Sequence, residues 1–321
     1  SYHPYLKPFS RAFRFTHGLT KLFIPRIGRL HHHPPIPLRP PANYVSKLAL
    51  NTLPRISVVT PSFMQGRFIE RTIQSVLSQE YPDLEYYVAD GGSEDGTREI
   101  ISRYANRLSG YRCGPDQGQA NAINMGFANT AGEIMCWLNS DDMLLPGALA
   151  YVGEYFVKHP EVDVVYGNRI LIDMDDREIG RWVLPRHNNK ILSYADFVPQ
   201  ETLFWRRSLW NKIGGYLDES FRFAMDWDLL LRFRDSGARM VRLKRFLGAF
   251  RIHDSQKTSA EIEEVGFQEM QFLRSRALGI DDVSQGLVYR AVAPYLARHV
   301  FHDLVFRVEH RLGLIRANWI H

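Results

Sequence analysis

Cysteine is nearly absent: Cys113 and Cys136 are the two in 321 residues. They lie far apart in strand-like segments, which excludes a disulfide framework and a cysteine zinc site. No apolar run approaches the ~20 residues a membrane-spanning helix needs. The N-terminus lacks the basic start and apolar run of a secretory signal. These absences predict a cytoplasmic protein. Glycine is missing too where a dinucleotide fingerprint requires it: Thr60–Arg67, after the first strand, holds only Gly66, so a nucleotide-dependent oxidoreductase is the weaker alternative. No internal repeat is present.

What is there suits a soluble globular chain. Apolar residues make up 45% and charged residues 23%, enough for one large core. The net charge of +5 and pI near 9.1 suit an anionic partner. Nucleotide diphosphate, anionic lipid and nucleic acid all qualify, so charge alone does not choose among them.

Residues 1–54 read as an arm. Phe13-Arg14-Phe15 and Lys21-Leu22-Phe23-Ile24-Pro25-Arg26 interleave aromatic and basic residues, and His31-His32-His33-Pro34-Pro35-Ile36-Pro37 and Pro40-Pro41 follow. Prolines at that density prevent a long helix and favour an extended segment. Such an arm either straps over the globular domain or makes a peripheral membrane contact at the cytoplasmic face.

From residue 55 to about 260 strands and helices alternate. Ile56–Thr60 and Leu84–Ala89 are short apolar strands, and Phe68, Ile69, Thr72, Ile73, Val76 and Leu77 recur at helical spacing over 66–79. Helices are predicted over 117–130 and 146–158, and strands over Ile134–Leu138 and Val162–Tyr166. This rhythm implies right-handed crossovers and a mainly parallel central sheet with flanking helices. A hairpin over 170–183, helices over 206–213 and 226–236, and a strand over 239–252 follow. Residues 261–321 form a helical C-terminal extension, with helices over 262–278 and 285–312. Its arginines, Arg290, Arg298, Arg307, Arg311 and Arg316, mark either a solvated face or a membrane or partner surface.

The chemistry concentrates in acids. Asp141 and Asp142 follow the apolar run Ile134-Met135-Cys136-Trp137-Leu138. Two carboxylates at the end of a buried strand are costly unless a positive group meets them, and a divalent metal carrying a diphosphate is such a group. In doubly wound sheets ligands sit beyond the carboxyl ends of the strands. Thr60-Pro61-Ser62 and Asp90 end the first two strands and open on one crevice. Met225-Asp226-Trp227-Asp228 opens a later helix. There Asp228 is spaced to pair with Arg232 at i,i+4.

Val58-Val59-Thr60-Pro61-Ser62 and Val88-Ala89-Asp90-Gly91-Gly92-Ser93-Glu94-Asp95-Gly96-Thr97 resemble the opening of family 2 glycosyltransferases, which have the GT-A fold. The resemblance runs from about residue 55 to 260. It implies an inverting transfer from a nucleotide-diphosphate sugar, UDP-linked by preference, to a hydroxyl on a glycan or lipid-linked acceptor in glycoconjugate assembly. It implies that Thr60, Pro61, Ser62 and Asp90 hold the nucleoside. Asp116-Gln117-Gly118-Gln119 is similar to the segment that folds over the donor, so Asp116 and Gln119 are donor contacts. Asn139-Ser140-Asp141-Asp142 occupies the place of the acidic metal motif, whose stricter form is Asp-x-Asp. With Asn139 at the first acid, Asp142 is assigned to Mn²⁺ or Mg²⁺ and Asp141 to ribose or sugar hydroxyls, the motif alone leaving the two interchangeable. A late histidine often completes the metal shell, which points to His253. Lys257, in the loop Gln256-Lys257-Thr258, would close over the phosphates. The family form Glu-Asp-Trp-Asp has Met225 at its first acid here, so the base role passes to Asp226. Gln200, Glu201 and Trp205 lie toward the acceptor side. The remaining alternative is a basic module for membrane or nucleic acid. Basic–aromatic interleaving supports that only at the two ends, while the acids in the centre would repel phosphates without a metal.

Overall fold

The computed structural model describes residues 33–253 and 265–312. Most of the arm, the Gln256-Lys257-Thr258 loop and the start of the predicted helix over 262–278 therefore lie outside the described residues.

The nucleus of the fold is β2 (Ile56–Ser62), with β3 (Leu84–Asp90) and β5 (Ile134–Trp137) parallel on its two sides and β4 (Gly110–Cys113) parallel beyond β3. The strands are short, apolar and buried on both faces, as a helix-covered parallel sheet requires. Their side chains alternate between two cores. Val59, Tyr87, Ala89, Met135 and Trp137 face one. Ile56, Val58, Tyr86, Val88, Ile134 and Cys136 face the other. Helices α1 (Ile69–Leu77), α2 (Thr97–Arg103) and α4 (Ala148–Lys158) cover the second core. Helix α3 (Gln119–Ala128) covers the first. It packs so closely on β2 that a methyl group on Gly126 would lie 2.4 Å from Val59 Cγ1.

Beyond β5 the sheet turns mixed, although parallel register still predominates over the sheet as a whole. The three-residue β9 (Phe204–Arg206) runs antiparallel between β5 and β7 (Val164–Ile172). β7 forms the expected hairpin with β8 (Arg177–Trp182) and pairs in parallel with the long β10 (Met240–Arg251). The short strand β6 (Met143–Leu144) pairs with β10, and β1 (Ile36–Pro37) adds to β8. Through β1, residues 36–37 of the arm join the sheet. Ala42 O accepts from Arg245 Nη2 at 2.6 Å, and Ser46 Oγ donates to the buried Glu154 at 2.7 Å.

Helices α5 (Asn189–Leu192), α6 (Arg207–Lys212) and α7 (Met225–Asp235) follow. α7 buries Trp227, Leu229, Leu230, Leu231 and Phe233 in the first core. α8 (Phe267–Leu278) packs on α7, and α9 (Gln285–Arg311) lies over α5 through Val288, Val292, Tyr295 and Leu296. Among the described residues, no helix is long and apolar enough to cross a membrane.

Candidate functional site

The strand order reverses around β2, and a crevice opens at the carboxyl ends of β2, β3 and β5, where such sheets bind ligands. Asp90, at the end of β3, is fully buried. Its carboxylate accepts the N–H groups of Gly92 (3.1 Å) and Ser93 (2.9 Å) and the Ser93 hydroxyl (2.5 Å). Ser93 Oγ in turn accepts the Met64 N–H at 2.7 Å. Asp90 thus fixes the shape of the turn and ties it to the loop after β2. Asp116 hangs over this turn: a methyl group on Gly91 would lie 2.8 Å from Asp116 Oδ2. Gln119, opening α3, donates to Asn139 Oδ1 at 2.8 Å and joins that side to the loop after β5.

Of the Thr60-Pro61-Ser62 step, Ser62 is the residue with capacity to spare. Its hydroxyl is buried without a hydrogen-bond partner among the described residues. Pro61 is buried against the sheet, opposite Ala89. The Thr60 hydroxyl is buried 3.0 Å from Tyr86 OH, in the core rather than the crevice.

The two acids after β5 differ in their surroundings. Asp142 is 1% exposed and its Oδ1 accepts the Arg251 N–H at 3.0 Å. Burial, then the neighbouring Asp141 and Glu201, push its pKa well above the ordinary carboxylate range. Asp141 is half-buried, and its Oδ2 lies 3.0 Å from His253 Nε2. The His253 ring packs 4.7 Å from that of Phe68, and its Nδ1 is buried with no partner among the described residues. Arg251 holds the arrangement, donating from Nε to Asp141 O at 2.8 Å and from Nη1 to Asp173 O at 2.8 Å. A cavity of about 170 Å³ opens beside His253, bordered by Asp173, Met174 and Arg177.

Asp141 and His253 fit a divalent cation. A carboxylate oxygen suits Mn²⁺ and Mg²⁺ alike, whereas an imidazole nitrogen suits a transition ion such as Mn²⁺ better than Mg²⁺. Among the described residues no group of three or more His, Cys, Asp or Glu is arranged to hold a metal.

On the opposite side, Gln200 donates from Nε2 to Trp137 O at 2.8 Å, and its Oε1 is buried without a partner among the described residues. The other two expected acceptor residues are structural. Glu201 is buried in a two-pronged ion pair with Arg169, Nε to Oε1 at 2.8 Å and Nη2 to Oε2. Trp205 is fully buried among Phe127, Trp137, Trp210 and Phe233.

Asp226, in the first turn of α7, is half-buried. Asp228 points away and pairs with Arg232 (2.8 Å), as its spacing predicts, and with Arg276 (2.6 Å). Asp196 carries no local signal in the sequence. It is buried in the loop after α5, and its Oδ1 accepts the Val198 N–H at 2.9 Å. Burial first, and the charge of Asp226 second, push its pKa well above the ordinary range. Arg169 feels both Asp142 and Asp196. The charge of Asp226 thus acts on Asp196, and that of Asp196 on Arg169. Lys257 lies outside the described residues.

Residues 57–214 match the family model described as glycosyl transferase family 2. An uncharacterized glycosyltransferase of Mycobacterium tuberculosis is 31% identical over 189 residues, which are 57% of this chain and 70% of that protein. A PGL/p-HBAD biosynthesis glycosyltransferase of Mycobacterium bovis is 30% identical over 184 residues, 56% of this chain and 69% of that protein. Among solved structures, S. aureus TarS 1-349 in complex with UDP superposes with a TM-score of 0.55 at 19% identity, covering 77% of this chain and 72% of that one. Mannosyltransferase PcManGT from Pyrobaculum calidifontis, in complex with GDP-Man and Mn2+, gives 0.52 at 16% identity over 87% and 85%. At these identities the structures speak for the shared GT-A fold.

Proposed function

The chain belongs to glycosyl transferase family 2, and from that premise we propose that it moves a sugar, with inversion, from a UDP-sugar to a hydroxyl on a glycan or lipid-linked acceptor. The observation that carries this reading is the Asp141–His253 pair, at 3.0 Å, at the end of β5.

Ser62, with its unsatisfied buried hydroxyl, and Asp116, over the Asp90 turn, hold the nucleoside. Gln119 lies at the N-terminus of α3, where free N–H groups favour a phosphate. Asp141 and His253 hold Mn²⁺ or Mg²⁺, which when bound supplies positive charge to offset that gathering on the leaving diphosphate. Asp226 takes the proton from the acceptor hydroxyl as its oxygen attacks the anomeric carbon. The neighbouring Asp196 is buried, and burial first and the charge of Asp226 second raise its pKa. A single displacement needs one base and no carboxylate nucleophile, so the configuration inverts. Lys257 is assigned to the phosphates from its sequence position alone.

The test is hydrolysis of a panel of UDP-, GDP- and dTDP-sugars with Mn²⁺. We expect release of UDP from at least one UDP-sugar. No release of any nucleotide, with no binding of UDP by calorimetry, would overturn the assignment.

A further inference from the structure

Helix α9 is about 40 Å long at 1.5 Å per residue. An amphipathic surface helix buries one face and gives water a polar one. This helix does the first and not the second. Its inner side is buried through Val288, Val292, Tyr295, Leu296 and Phe306. Its outer side, over the last three turns and the residue after them, is apolar as well: Phe301 is 63% exposed, Leu304 55%, Val305 37%, Val308 48% and Leu312 65%. At 100° per residue these five fall within one stripe about 100° wide. Exposed apolar residues scattered singly need no explanation, but a continuous stripe of five marks an interaction surface.

Charge chooses the occupant. Arg290 and Arg298 are exposed on the same outward side of the helix. Beside the stripe, the His302 imidazole is held below its ordinary range, first by burial and then by the charges of Arg242, Lys244 and Arg186. Lys244 and Arg186 are themselves exposed. A second copy of the chain packed on this face would bring one basic rim against another. Lipid phosphates would neutralise both.

We propose that the outward face of α9 docks on an anionic bilayer, with Phe301, Leu304, Val308 and Leu312 at the headgroup–acyl boundary and the basic rim on the lipid phosphates. The same helix braces the wall of the site, because Tyr295 stacks 4.6 Å from Phe197, next to Asp196. Docking therefore brings the domain that carries the site to the membrane surface. This deepens the transferase reading by making the acceptor lipid-borne, but the docking itself does not depend on that reading.

The experiment is flotation of the full chain with phosphatidylglycerol-rich vesicles and with pure phosphatidylcholine vesicles, alongside the variant Phe301→Ser/Leu304→Ser/Val308→Ser. The expected result is binding to the anionic vesicles, weakened by salt, and on the order of 100-fold weaker partitioning of the variant at an unchanged melting temperature. Three outcomes overturn the proposal. The wild-type chain stays unbound; the variant floats as well as wild type; or the wild type is a dimer by sedimentation that the variant dissolves, without vesicle binding. Failure here with nucleotide release intact removes the docking and leaves the transferase. Vesicle binding without nucleotide release does the reverse.

Discussion

Replacing Glu201 by glutamine separates a structural role from a substrate-binding one. The Glu201 side chain is 0% exposed and that of Arg169 10%. Arg169 also lies over the rings of Phe250 and Trp182, at 4.5 and 5.0 Å. Removing one partner of such a pair strands a buried charge, which costs about 3–5 kcal/mol. One feature places Glu201→Gln at the lower end: the amide keeps the shape of the side chain and one acceptor for Arg169. The expected loss is about 3 kcal/mol, rising by about 1 kcal/mol for Glu201→Ala through lost apolar burial. Urea unfolding followed by tryptophan fluorescence at neutral pH measures it. A loss under about 1 kcal/mol with an unchanged slope, accompanied by a raised KM for the acceptor, would refute the reasoning and return Glu201 to the acceptor site.

Asp226→Asn should lower kcat about 10²–10⁴-fold while leaving the calorimetric Kd for UDP within about 3-fold, because the base acts on the acceptor. Asp196→Asn, isosteric with the protonated acid, should keep transfer within about 3-fold at neutral pH; a loss matching that of Asp226→Asn would move the base. His253→Ala should weaken Mn²⁺-dependent UDP binding about 10–100-fold and leave metal-free UDP binding unchanged, both read by calorimetry. Burial raises Asp303 to about 7 against the pull of Arg307. The folded state thus binds more protons than the unfolded one between the unfolded pKa, about 4, and that value, so its contribution to stability falls as pH rises through this window. Asp303→Asn should remove that slope, a change of roughly 1–2 kcal/mol between pH 5 and pH 8 after allowing for the half-exposed Arg307. Parallel urea curves for the two proteins at both pH values would show it absent.

The alternating core of the fold was legible because its periods are local. The β2, β3 and β5 strands are short apolar runs, and α1, α3, α4 and α7 carry helical spacing. β9 was not legible: three residues running straight into α6 leave no room for a period, and only the gap between β5 and β7 makes them a strand. The resemblance puts Trp205 toward the acceptor side, while its alternation with Phe204 places one of the two in each core. The same alternation distinguishes Asp141 from Asp142, but the sign of the alternation depends on Arg251, 109 residues away from Asp142. Asp196 and the Arg169–Glu201 pair had no local signal, since their meaning lies wholly in contacts across the sheet. The C-terminal helix was legible as a helix. That its outer side is also apolar became visible once its inner side was known.

The account stands on Asp141 and His253 sharing one cation with a bound diphosphate. Anomalous diffraction at the manganese edge, from crystals of the chain grown with UDP and Mn²⁺, measures this most directly. The predicted result is a single strong peak within coordinating distance of both Asp141 Oδ2 and His253 Nε2, with the diphosphate against it. UDP bound in the crevice with the peak elsewhere, or with no peak, would contradict it.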